Sequence, residues 1–148
     1  MHLEEYTAVK GDSDFSYEFY SEGPKGRIKK IVRFTPLTGY GNDYYNLYLG
    51  DWLEAEDRLS DTVVSNNMDR EKVLATVAAI VVDFTAAIPH AVIFAEGNTP
   101  SRNRLYQMGI SANWQVIDEY FDLHGFKDDK WERFQKNRNY ESFLLRRK

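Results

Sequence analysis

Residues 69–88, DREKVLATVAAIVVDFTAAI, constrain the fold more than any other stretch. Val73, Leu74, Val77, Ile80, Val81, Phe84 and Ile88 recur at steps of one, three and four. That spacing lines one side of a helix with 3.6 residues per turn. Alanines fill much of the remaining surface, so the helix has little charged face to offer water and must be largely buried against a sheet. Asn67 or Asp69 can cap its start, and Pro89 stands just past its end.

The sheet is announced before the helix. In FSYEFY (15–20), Phe15, Tyr17 and Phe19 alternate with Ser16, Glu18 and Tyr20. GPKG (23–26) reads as a hairpin turn: Pro24 presets φ, and the flanking glycines tolerate positive φ. RIKKIVRF then points Ile28, Val32 and Phe34 one way and Arg27, Lys29 and Arg33 the other. In YYNLYLGDW, Tyr45, Leu47 and Leu49 alternate with Tyr44, Asn46 and Tyr48. These strands predict an antiparallel meander with one apolar face. Residues 51–67 read as an acidic helical turn followed by a loop. After the helix, HAVIFAEG reads as a short buried strand, and a second helix opens with Thr99 as N-cap and Pro100 at its first position. NWQVIDEYFDLHG suits either more helix or a strand. YESFLLRRK reads as a closing strand. The expectation is an α+β fold, order β-β-β-α-β-α-(β)-β, with two main helices packed mostly on one face of an antiparallel sheet.

A chain of 148 residues with 43% hydrophobic and 15% aromatic content can fill one core, and one domain spanning 1–148 is expected. The absence of cysteine excludes disulfides, thiolate metal sites and a Cys nucleophile. The first fifteen residues carry no basic-then-apolar leader pattern, and the longest apolar stretch, 73–82, is far shorter than a membrane span. A cytoplasmic protein with no membrane segment is expected. The formal net charge is −4, unevenly spread: residues 23–42 carry five bases and no acid, and residues 127–148 carry eight bases against four acids. Such segments can hold an anionic partner locally, although the overall charge argues against a chain coated in nucleic acid.

The stretch FAEGNTPSRNRLYQMG (94–109) is the first candidate site. A helix start leaves backbone N–H groups unpaired, and with the helix dipole these favour anions. Gly97 would let a ligand approach the backbone, Thr99 and Ser101 add hydroxyls, and Arg102 offers a bidentate contact to phosphate. Arg104 stands about 200° around the helix from Arg102, so the two cannot address one spot from one face. Lys25 and Lys29 would join if the hairpin turn folds over the same edge. The same residues also suit an ordinary capped helix start. The pattern is neither a P-loop nor a Rossmann turn. A second candidate is the face of the meander turned from the core, showing Tyr20, Arg27, Lys29, Arg33, Tyr44 and Tyr48. Cations among rings suit single-stranded nucleic acid. Glu18 and Ile31 interrupt that face, and tyrosines also favour strands for their fit to a pleated surface.

No nucleophile elbow or His–acid pairing is legible, and His2, His90 and His124 lack ligand spacing. His90 reads as a connector and His124, in DLHGF, as part of a turn. Glu54, Asp57 and Asp61 could share a helix face, but a solvated acidic surface is the simpler reading; no metal or cofactor is expected. Glu96, at the end of the buried strand, would pair structurally with Arg102, and its pKa would then fall. The leading expectation is a small domain binding a phosphate-bearing ligand or nucleic acid through Gly97, Thr99, Ser101, Arg102, Arg104, Lys25 and Lys29. The first rival is a metal-independent ribonuclease of toxin type, using Arg102, Arg104, Tyr106, His124 and Lys25. The second is a protein-interaction module or homo-oligomer that pairs through an edge strand such as 140–147 or through the tyrosine-rich face.

EFYSEGPKGRIKKIVRF, NLYLGDW, NNMDREKVLATV, GNTPSRNRLYQMGI and the closing YESFLLRR together resemble an uncharacterised bacterial family of this length, mainly from Bacteroidetes. The resemblance covers nearly the whole chain. It implies a single bacterial domain and supplies no activity and no catalytic residues.

Overall fold

A computed structural model describes residues 4–13, 15–39, 41, 43–60, 67–97 and 99–148. Among these, nine strands join one sheet: β1 (Val9–Lys10), β2 (Ser16–Gly23), β3 (Gly26–Pro36), β4 (Tyr44–Leu53), β5 (Arg58–Ser60), β6 (Val92–Ala95), β7 (Phe121–Lys127), β8 (Lys130–Arg133) and β9 (Ser142–Arg147). Their order is β1-β2-β3-β4-β6-β9-β7-β8, with β5 paired to the end of β4. The fold is α+β and the sheet mostly antiparallel; the β4–β6 pair is parallel. That pair needs a crossover, and helix α1 (Arg70–Ala87) supplies it. Helices α2 (Pro100–Ala112) and α3 (Trp114–Tyr120) make the second connection, from β6 to β7.

All three helices lie on one side of the sheet. Val73, Val77, Ile80, Val81 and Phe84 of α1 meet Tyr17, Phe19, Val32, Phe34, Tyr45, Leu47 and Leu49 of the meander in one core. The Phe84 ring lies flat on Phe34, centroids 3.9 Å apart and planes 4° off parallel, with Tyr45 edge-on at 5.2 Å. No helix among the described residues is long and apolar enough to cross a membrane.

Four local expectations are refined or corrected. Residues 113–123 are both alternatives in turn: helix to Tyr120, then strand from Phe121. DLHGF is no turn. His124 sits in mid-strand, paired with Leu144 on one side and Arg133 on the other. The true turn comes later, at Asp128 and Asp129, both at positive φ (52° and 62°). A two-residue hairpin turn of that form twists in the sense the strands require. The closing strand is not an edge: β9 is hydrogen-bonded to β6 and β7, so it offers no open ladder to a partner. Among the described strands, β1 and β8 lie at the two ends of the order, and β5 pairs with β4 alone. Finally, the acidic stretch after β4 holds a 3-10 turn at Glu54–Glu56 and then strand β5. Asp61 lies outside the described residues.

Candidate functional site

The strand-turn-helix at 97–104 is wired into the protein. Thr99 is the N-cap of α2, and its hydroxyl accepts the Arg102 N–H at 3.1 Å. Gly97 donates its N–H to Asn103 Oδ1 at 3.3 Å. A Cβ at Gly97 would overlap the Asn103 backbone nitrogen, so the space the glycine leaves is filled by the helix. Asn103 Nδ2 donates to the Tyr140 carbonyl at 2.7 Å, and Gln107 Nε2 to the Arg138 carbonyl at 3.0 Å. The front of α2 thereby holds residues 138–140 in place.

Arg102 is 4% exposed. It stands on the inward stripe of α2 with Tyr106, Gly109 and Ile110, positions four, seven and eight later. Ser101 and Arg104 are exposed. The turn therefore places one arginine inside and one outside. Lys25 donates its backbone N–H to Asn67 Oδ1 at 2.7 Å, and Lys29 pairs with Glu18 at 3.5 Å. Tyr45 pairs with Ile93 and Lys30 with Asp51. These registers set Lys25 about seven strand positions beyond the level of Gly97, roughly 23 Å at 3.3 Å per residue. Lys25 and the turn are not brought together. The ribonuclease candidates are dispersed as well: Tyr106 belongs to the hydrophobic core and His124 to the opposite face of the sheet. Glu96 is exposed and forms no ion pair with a described residue.

Among the described residues, no helix lies on the other face of the sheet. Pairing and alternation place Tyr20, Arg27, Lys29, Arg33, Tyr44 and Tyr48 there, as the strand pattern suggests. Register sets Tyr20 beside Lys29, Glu22 beside Arg27, and Arg33 between Ser16 and Tyr48. The Arg27 guanidinium lies over the Tyr20 ring at 3.8 Å. The face continues beyond the meander. Asn46, Phe94, Leu144, His124 and Arg133 follow one another across β4, β6, β9, β7 and β8. Val92, Arg146 and Asp122 form the neighbouring row. Trp131, 42% exposed, stands 5.2 Å from the Phe126 ring and 6.3 Å from Phe94. Most of these side chains are half-buried.

This face carries Arg27, Lys29, Arg33, Arg133 and Arg146 against Glu18, Glu22 and Asp122. Arg27 and Lys29 are matched by Glu22 and Glu18. Among the described residues no carboxylate lies within 4.0 Å of Arg33, Arg133 or Arg146.

The hairpin that presents Trp131 and Arg133 is anchored from the core side. The buried Tyr140 hydroxyl donates to Glu132 at 2.7 Å and accepts the Gln135 N–H at 3.0 Å, and Arg138 joins Glu132 at 3.0 Å. Burial pushes the Tyr140 hydroxyl pKa up, and the bond to Glu132 pushes it further. That same bond holds the Glu132 carboxyl below its ordinary value, with Arg138 adding to the effect.

The signal for this half of the face was present as two alternating pairs, His124/Phe126 and Trp131/Arg133, either side of Asp-Asp. It was hidden because Asp-Asp is a weaker hairpin mark than Asn-Gly, and because Phe94 lies in a strand that reads as buried on both sides. Among known proteins, one family model matches residues 2–148, that of a family of unknown function, DUF6934. No curated protein and no solved structure matches the chain.

Proposed function

The chain belongs to this family of unknown function, and from that premise we propose that it binds a phosphate-bearing ligand on the helix-free face of its sheet. One observation carries the reading. Arg33, Arg133 and Arg146, without an ion-pair partner among the described residues, share a face with half-buried rings, in a chain whose net charge is −4. Guanidinium groups left unmatched by carboxylates suit phosphate oxygens, which they can engage bidentately. The exposed start of α2 lies just past the end of β6, where Ser101 and Arg104 can extend the site. The reading includes a cytoplasmic location, which the absence of cysteine suits, and binding rather than turnover.

The test is a thermal-shift panel with pyrophosphate, nucleoside triphosphates, polyphosphate and short RNA at two salt concentrations. A ligand that binds only the folded state raises the melting temperature by mass action. Salt-sensitive stabilisation that is lost in the double variant Arg133→Ala/Arg146→Ala and kept in Arg104→Ala supports the face. The reverse pattern moves the site to the α2 turn. A flat panel in all three proteins rejects the reading.

A further inference from the structure

We infer that the ligand of the helix-free face is a single-stranded nucleic acid laid across the strands, its bases stacked on Phe94, Phe126 and Trp131 and its phosphates on Arg33, Arg133 and Arg146. The inference rests on the phosphate-binding reading above and narrows it.

Three observations favour a single strand. The first is extent. Arg33 on β3 and Arg133 on β8 are separated by five strand spacings in the order β3-β4-β6-β9-β7-β8, about 24 Å at about 4.8 Å each. One nucleotide cannot reach both; a strand of at least about four nucleotides, the lower end of single-strand site sizes, can. The second is the rings. Phe94, Phe126 and Trp131 cluster on the outer face within 6.3 Å of their neighbours, and Trp131 remains 42% exposed. A ring face open to solvent gives an unstacked base a surface to lie on, which a duplex, its bases already stacked, does not use. Inorganic polyphosphate has no ring to place there at all. The third is charge. Arginine, not lysine, supplies all three unmatched cations, and its planar group can stack on bases as well as bind phosphate. Asn46 and His124, in the row with Phe94, add hydrogen-bonding groups at base level. Asp122, opposite Arg146, disfavours a uniform phosphate track there.

The experiment is fluorescence anisotropy with labelled dodecamers of rU and dT, the matching duplexes, and polyphosphate and ATP as competitors, at 50 and 200 mM salt. Either single strand is expected to bind, with log affinity falling against log salt at a slope near −2, about −0.7 for each of three phosphates. Trp131→Leu should weaken binding at least fivefold without altering the salt slope, because it removes stacking and no charge. Arg133→Ala should weaken binding and make the slope shallower. Circular dichroism melts of both variants establish that they fold, and Phe126→Leu replaces Trp131→Leu if the latter does not. Duplex binding as tight as single-strand binding, or ATP or polyphosphate competing as well as the unlabelled oligomer, overturns the single-strand inference while leaving the phosphate site standing. No binding of any anion overturns both. Self-association that buries Trp131, with no oligomer bound, assigns the face to a second copy of the chain.

Discussion

At the scale of single residues, Arg102 and Arg104 divide a motif that looks like one unit on paper. The two differ by about 200° of helix rotation. The inward stripe of α2, through Tyr106, Gly109 and Ile110, decides which goes inside. Arg102→Ala should therefore act on stability, by about 2 kcal/mol, as loss of a buried side chain does. Arg104→Ala should stay within about 0.5 kcal/mol of wild type. Urea titrations of the two variants check this, and equal midpoints would refute the burial argument. Tyr140 makes a second residue-scale prediction. Its raised pKa contributes stability below the ordinary tyrosine value that is lost as pH rises through the folded value. The lowered pKa of Glu132 contributes stability above the ordinary carboxylate value that is lost as pH falls through the folded one. Tyr140→Phe should cost about 1 kcal/mol at neutral pH and flatten both limbs of the stability curve. Urea midpoints measured from pH 3 to pH 11 read both effects. A variant with unchanged limbs would show the Tyr140–Glu132 bond to be without consequence.

At the scale of elements, strands β3 and β4 carry one feature that alternation does not explain. Lys30 and Asp51 face the helices, paired at 2.6 Å and nearly inaccessible. Their position follows from register, since each lies two residues beyond a core residue, Val32 and Leu49. Asp51→Leu alone should cost about 3 to 5 kcal/mol by leaving a buried ammonium without this partner, and adding Lys30→Met should recover most of that loss. Denaturant unfolding of the single and double variants measures it; additive costs would mean that the pair is uncoupled. Helix α1 was the most legible element because its stripe is long and uninterrupted. Its end is closed by a residue distant in sequence: Arg147 donates to the Val82 carbonyl at 2.7 Å and to Thr85 Oγ1 at 2.9 Å. No local signal marks such a cap.

At the scale of the whole molecule, the sheet has a protected middle and light margins. β6 and β9 are each paired on both sides, whereas β1 and β8 each have one partner. Native-state hydrogen exchange should be slowest in β6 and β9 and fastest in β1, β5 and β8, since opening of marginal strands requires less than global unfolding. Protection as high in β1 as in β9 would contradict this ordering. Local charge follows the same large-scale logic. Among the described residues, five bases and three carboxylates share the helix-free face of a chain with an overall charge of −4, and on the reading proposed above a polyanion would be drawn to that face. Binding on that face should accordingly depend on salt more than on the overall charge.

By itself the sequence determined what local periodicity can encode: helix α1, the alternating strands β2 to β4, the Thr99–Pro100 helix start and the face on which Tyr20, Arg33 and Tyr48 stand. These follow from repeats of 3.6 and 2 residues and from caps, all set within a few positions of the chain. The tertiary structure alone decided what depends on pairing between distant segments. β9 lies between β6 and β7 and is no edge; Arg102 is inside; Lys25 is far from the turn it was expected to join. It also decided that Phe94, Phe126, Trp131, Arg133 and Arg146 continue the tyrosine and arginine face of the meander. Strand order is a property of long-range hydrogen bonding, and no short stretch of side chains carries it.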